Sequence, residues 1–204
     1  MKPDSKNVFL RNLSLIRWVS LITCLFLVSS CSNAQENIEK DKILIVYLTR
    51  TKNTIAIAEM IQKKVGGELV ALELEKPYPE DYKAIVEQVS QENASGYLPP
   101  LKTKVENIKQ FKTVFVGFPT WGMQMPPPMK SFLSENDLSG ITVIPFNTNA
   151  GYGVGSGFKT VEELCPKSNV LEGFSMKGGI ERDGILFVME GEKAQEADKK
   201  VVTC

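Results

Sequence analysis

The chain is 204 residues long, 43% of them hydrophobic, with 24 basic and 24 acidic residues and no histidine. That length suits one globular domain with a short extra segment, and the balanced charge argues against nucleic acid as a partner. Without histidine there is no Ser-His-Asp or Cys-His catalysis, no His-ligated zinc and no imidazole relay, so redox or group-transfer chemistry would fall to a bound cofactor.

Lys2, Lys6, Arg11 and Arg17 precede an apolar stretch from Trp18 to Val28. It is short for a bilayer-spanning helix and reads as an export signal. Val28-Ser29-Ser30-Cys31 resembles the cleavage box of bacterial lipoproteins, which implies that Cys31 carries the lipid. Cleavage after Ala34 and an uncleaved anchor are the alternatives. The expected division is a signal over 1–30, a tether over 31–40 and one domain over 41–204; the tether reaches at most about 30 Å. Residues 1–31 hold four basic and one acidic residue, so the remainder carries 20 against 23, a net of −3. No two of the four cysteines form a CxxC pair. Cys24 leaves with the signal, and Cys165 and Cys204 either pair in an oxidising compartment or stay two thiols.

Within the domain, Ile43 to Leu48 is an apolar strand run. The next residues, Thr49, Arg50, Thr51, Lys52, Asn53 and Thr54, lead straight into a helix whose Ile57, Ala58, Ile61 and Val65 share one face. This arrangement sets backbone N–H groups and short polar side chains at a helix N-terminus, a seat for an anion such as phosphate. An ordinary N-cap is the alternative. The loop lacks both the Gly-Lys-Ser/Thr ending of a nucleoside triphosphate loop and a Gly-x-Gly-x-x-Gly fingerprint. It resembles the phosphate loop of flavodoxins, [S/T]-x-T-x-N-T, in which a mononucleotide phosphate is held by hydroxyls and amides.

Further along, Gly66-Gly67 and Pro77-Tyr78-Pro79 punctuate a strand over Leu69 to Leu74 and a helix bearing Tyr82, Ile85, Val86 and Val89 at i, i+3, i+4 and i+7. Gln91 to Lys104 is either a lid or a surface excursion. The third strand is expected at Thr113 to Phe118, with Met129, Phe132 and Leu133 marking its helix. The fourth is expected at Ile141 to Phe146, Pro145 being tolerable only near its end, with Phe158, Val161 and Leu164 marking the helix after it. Val170 to Met176 reads as a fifth strand, Ile185 to Met189 as an extra one, and Glu192 to Cys204 as a final helix with a thin apolar face.

Alternating strands and helices predict an α/β, doubly wound, five-stranded parallel sheet in three layers. Resemblance to flavodoxins implies the order 2-1-3-4-5, with ligands beyond the carboxyl ends near the switch point. Three loops converge there. The first is the phosphate loop. The second is Pro119, Thr120, Trp121, Gly122 and Met123, where a tryptophan offers a flat stacking surface. The third is Asn147, Thr148, Asn149, Ala150, Gly151, Tyr152 and Gly153, where two glycines let N–H groups turn toward a ligand. The Pro-x-Trp-Gly segment followed by Pro and a Phe-Leu helix is similar to long-chain, exported bacterial flavodoxin-type proteins. The resemblance implies flavin mononucleotide (FMN) as cofactor, with all three loops as its seat. The chain departs from many relatives at Lys52, where they carry glycine, at Gly122, where they carry a second aromatic, and at Asn149, where they carry histidine.

The leading expectation is an electron-carrying FMN flavoprotein held at the cell envelope by a lipid anchor, exchanging electrons with a redox partner protein or a small molecule. The alternatives are an FMN-dependent NAD(P)H or quinone reductase, and a flavin-binding or scaffold lipoprotein without turnover. No metal site is expected, and no side chain is assigned a catalytic role because the flavin carries the chemistry.

Overall fold

The computed structural model describes residues 42–202. The expected signal, the tether with Cys31, and Cys204 lie outside the described residues. The elements run β1 (Ile43–Tyr47), α1 (Asn53–Val65), β2 (Glu68–Ala71), α2 (Tyr82–Ser95), β3 (Thr113–Pro119), α3 (Pro127–Glu135), β4 (Thr142–Asn149), α4 (Gly157–Leu164), β5 (Asn169–Val170), β6 (Phe174–Lys177) and α5 (Gly191–Val202). The sheet order is β2-β1-β3-β4, followed by β5 and β6, both of which pair with β4. Every ladder is parallel, as the alternation of strands and helices predicts.

Two cores flank the sheet because the central strands are apolar on both faces. Leu44 and Val46 of β1 join Met129, Phe132, Leu133 and Val161 of α3 and α4 on one side. Ile45 and Tyr47 join Ile57, Ala58 and Ile61 of α1 and Ala197 of α5 on the other. Each large apolar side chain so buried contributes about 1.5–3 kcal/mol.

The fifth strand is not the continuous run expected from Val170 to Met176; it breaks between β5 and β6. Pro145 accounts for the break. It sits in the middle of β4 rather than near its end, opposite Val116 of β3. Leu171 N–H donates to the Val143 carbonyl at 2.9 Å, so Val143, and Pro145 two residues on, face the fifth position. Proline has no N–H to donate there. Pairing stops after Val143 and resumes with Phe146 opposite Phe174.

Three other expectations are corrected or resolved. Ile185 to Met189 is not a strand: apart from a single bridge between Ile180 and Ile185 the segment is irregular, and Ile185, Leu186 and Phe187 are exposed. Gln91 to Lys104 is a pinned excursion. Gly96 ends α2 in the left-handed region, and the chain then returns along the edge, with Lys102 N–H on the Glu73 carbonyl at 2.9 Å and Glu75 N–H on the Pro100 carbonyl at 3.1 Å. The thin-faced final helix forms and packs on α1 through buried Ala197, with Lys64 pairing Asp198 at 2.8 Å. Cys165 is a buried free thiol, and that burial pushes its pKa up to about 11.

Candidate functional site

Beyond the carboxyl ends of β1, β3 and β4 lies a cavity of about 550 Å³, within the range of small-molecule sites. The β1–α1 loop forms one end. Lys52, at the N-cap of α1, has φ 64° and makes no side-chain cap bond. This left-handed conformation is one that glycine adopts more readily than lysine. The Lys52 side chain is exposed and does not line the cavity. Asn53 and Thr54, at 2% and 1% exposure, are committed inward. Asn53 Nδ2 donates to Thr51 Oγ1 at 2.8 Å and to the Leu186 carbonyl at 2.6 Å, and its Oδ1 accepts from Val188 N–H at 3.1 Å. Thr54 Oγ1 and Thr148 Oγ1 share a hydrogen bond at 2.9 Å. Thr49 Oγ1 is the one buried side-chain polar atom without a partner among the described residues.

Arg50 is a structural tie. Its Nε donates to Glu181 Oε1 at 2.7 Å, Nη1 to the Pro79 carbonyl at 3.0 Å and Nη2 to the Glu80 carbonyl at 2.6 Å. The guanidinium thus straps three segments together with each of its nitrogens engaged. Arg50 and Glu181, the charged side chains lining the cavity, neutralise each other.

The Trp121–Gln124 segment is a tight hairpin. Trp121 N–H and Gln124 N–H each donate to the other's carbonyl, at 3.1 and 3.0 Å, and Gly122 and Met123 between them have φ 56° and 60°, the signs of a type I′ turn. The Met123 carbonyl accepts from Ser156 N–H at 3.0 Å. A Cβ at Gly155 would collide with that carbonyl. Tyr78 presses edge-on against Trp121, centroids 5.6 Å apart. Its hydroxyl donates to the buried Glu92 carboxylate, which also accepts from Gln88 Nε2 at 2.8 Å. Burial and, secondarily, the Glu92 bond hold the Tyr78 phenol well above its ordinary pKa.

The third loop is organised around Asn149. Its Oδ1 accepts from Gly151 N–H at 2.8 Å and Gly153 N–H at 3.2 Å. These glycine donors are therefore turned onto the chain itself. Asn147, fully buried, donates to the Phe118 carbonyl at 2.9 Å, and Thr120 Oγ1 donates to the Gly153 carbonyl at 3.0 Å.

Of the residues singled out by sequence, Arg50, Thr51, Asn53, Thr54, Pro119, Thr120, Trp121, Gly122, Thr148, Asn149 and Ala150 line the cavity; Thr49, Lys52, Met123, Asn147, Gly151, Tyr152 and Gly153 do not. Tyr152 is 67% exposed. Sequence reasoning missed the α2 side of the cavity, where Tyr82, Ile85, Val86, Val89, Ser90 and Asn93 form a wall, and also Gly178, Gly179 and Glu181. Among the described residues no cluster of three His, Cys, Asp or Glu is placed to hold a metal ion.

The parallel order, the crossing point and the loops at it agree with the family model described as Flavodoxin, which matches residues 42–190. The chain belongs to the flavodoxin family. A solved protein described as a flavoprotein, from Bacteroides eggerthii DSM 20697, is 32% identical, with 66% of this chain and 87% of that one covered at a TM-score of 0.61. A second, from Bacteroides uniformis ATCC 8492, is 25% identical, with 70% and 94% covered at 0.62. A flavoprotein in complex with FMN, from Lactobacillus acidophilus NCFM, is 20% identical, with 66% and 93% covered at 0.60, a likeness of fold. No curated protein matches the chain.

The chain's residues fit a flavin mononucleotide. The α1 N-terminus leaves donors uncapped, the Thr49 hydroxyl is buried without a partner, and Thr51 Oγ1, accepting from Asn53, keeps its own proton to donate. Trp121, backed by Tyr78, offers the cavity a flat aromatic surface.

Proposed function

We propose that this protein binds FMN and carries electrons at the cell envelope, exchanging them with a redox partner protein or a small molecule. The observation that carries the reading is the uncapped α1 N-terminus beside the unpartnered Thr49 hydroxyl, which suits a phosphate held without a cation. The flavin, when bound, supplies the redox chemistry. The chain's residues hold its phosphate on the β1–α1 loop, offer Trp121 to its ring and exclude water with the α2 wall. Among the described residues lining the cavity, Arg50 is the one cation, and it is paired with Glu181.

Titration of the full chain tests this. FMN is expected to bind about ten- to a hundredfold more tightly than riboflavin, because each charged phosphate contact is worth about 1.5–3 kcal/mol. Equal affinities would remove the phosphate seat. The loaded protein should be bleached by dithionite and only slowly by NADH or NADPH. Rapid bleaching by either nicotinamide would replace the carrier with the reductase.

The envelope location rests on the signal-like segment and the Val-Ser-Ser-Cys box. No described helix is long and apolar enough to cross a membrane. Labelled fatty acid is expected in the wild type and not in Cys31→Ala; equal labelling would end the lipoprotein reading.

A further inference from the structure

Lys130 of α3 is half-buried, and its Nζ donates to Asn93 Oδ1 at 2.8 Å and to Gln124 Oε1 at 3.2 Å. Among the described residues no carboxylate pairs with it within salt-bridge distance. An ammonium has donors and no acceptor, so both amide oxygens must face Lys130 and both NH₂ groups must face away. Asn93 and Gln124 line the cavity, Asn93 near the end of α2, about 16 Å of helix from Tyr82 at its start. Among the described residues neither NH₂ group has a hydrogen-bond partner, and neither is a buried orphan; both residues line the cavity. The positive charge behind the two amides polarises them and strengthens both as donors.

Between this donor pair and the phosphate loop, the α2 wall is mainly apolar, with Ser90 as its polar exception. Ile85 and Val89 are buried, while Tyr82 and Val86 remain 37% and 49% exposed. The charged pair Arg50–Glu181 is internally neutral. A ligand matched to this end is flat, uncharged and apolar, with carbonyl oxygens at its edge.

We propose that the Asn93–Gln124 end of the cavity, oriented by Lys130, binds the carbonyl oxygens of a quinone-type ring. The proposal is of binding; that the ring meets a flavin there rests on the FMN reading above.

Calorimetry on the full chain, with and without added FMN and with methylnaphthoquinone and methylnaphthalene as probes, separates the carbonyl contribution from simple apolar uptake. The wild type should bind the quinone about three- to tenfold more tightly than the hydrocarbon. Asn93→Ala should abolish most of that preference, and Lys130→Met, which frees both amides to turn, should reduce it, with hydrocarbon affinity unchanged in each. A preference that survives both substitutions would overturn the proposal. So would an equal loss of FMN affinity in Asn93→Ala, which would assign the amides to the flavin's own seat. A wild type that shows the carbonyl preference but binds no FMN would remove the FMN reading and leave this site standing.

Discussion

Helix α1 meets the cavity with its N-terminal end and α2 meets it with its side, and the two N-termini are finished differently. At α2, Asp81 Oδ1 accepts from Ala84 N–H at 2.8 Å, a normal cap. At α1 no side chain caps the end, although Thr and Asn, good cap formers, crowd the loop. Those side chains are bonded to one another, to Thr148 and to the 186–188 segment instead. An end that declines local caps keeps its donors for an anion. A helix that completes its own end is free to serve as a wall, and α2 does so with apolar side chains.

The largest expected effect in this contrast comes from Asn53→Ala. Removing the side chain strips hydrogen bonds from the Leu186 carbonyl and the Val188 N–H, and it leaves Thr51 without its positioning donor. Buried groups left unsatisfied cost about 1–3 kcal/mol each, less where water enters. The protein should lose about 2–3 kcal/mol, read by urea denaturation, with faster amide exchange confined to the loop and residues 186–188. A loss under about 0.5 kcal/mol would mean that the polar side chains do not hold the α1 end, and the contrast with α2 would fail.

Much of this arrangement was legible in the sequence. Apolar runs at Ile43 and Thr113, followed by helical spacing, specify β-α units, and ligands in such sheets collect at strand carboxyl ends. That logic placed the β1–α1, β3 and β4 loops. The α2 wall was not legible for a physical reason. Tyr82, Ile85, Val86 and Val89 carry the spacing of a core face, and Ile85 and Val89 are indeed buried, but all four line the cavity and Tyr82 and Val86 stay exposed. Periodicity reports which residues share a face, not whether that face meets protein or a space for a ligand. The glycines of the third loop show the same limit. Freedom of the backbone at Gly151 and Gly153 says nothing of direction, and Asn149 directs both N–H groups inward. Gly178 and Gly179 could have been found, because they follow the last strand at the same edge of the sheet. The Pro145 break also had a signal in the sequence, a proline whose missing N–H forbids pairing on one side.

The sharpest version of the contrast uses one substitution at each helix, with opposite expected signs. Asp81→Ala deletes a satisfied cap and should cost about 1 kcal/mol of stability. FMN affinity should change little, because Asp81 caps α2 and takes no part in the β1–α1 loop. Thr49→Val has the smaller effect on stability, and in the other direction. It replaces a buried hydroxyl that has no partner with a methyl group of the same shape. Exchanging an unsatisfied polar atom for an apolar one is neutral or stabilising, so the ligand-free protein should be unchanged or up to about 1 kcal/mol more stable. If that hydroxyl waits for a phosphate oxygen, the same change should weaken FMN by about tenfold and leave riboflavin unaffected. Denaturation without ligand and titration with both flavins read the two effects separately. Destabilisation of the ligand-free protein by more than 1 kcal/mol would show that the Thr49 hydroxyl has a partner within the fold. Unchanged FMN affinity would show that the uncapped end of α1 seats its anion without Thr49.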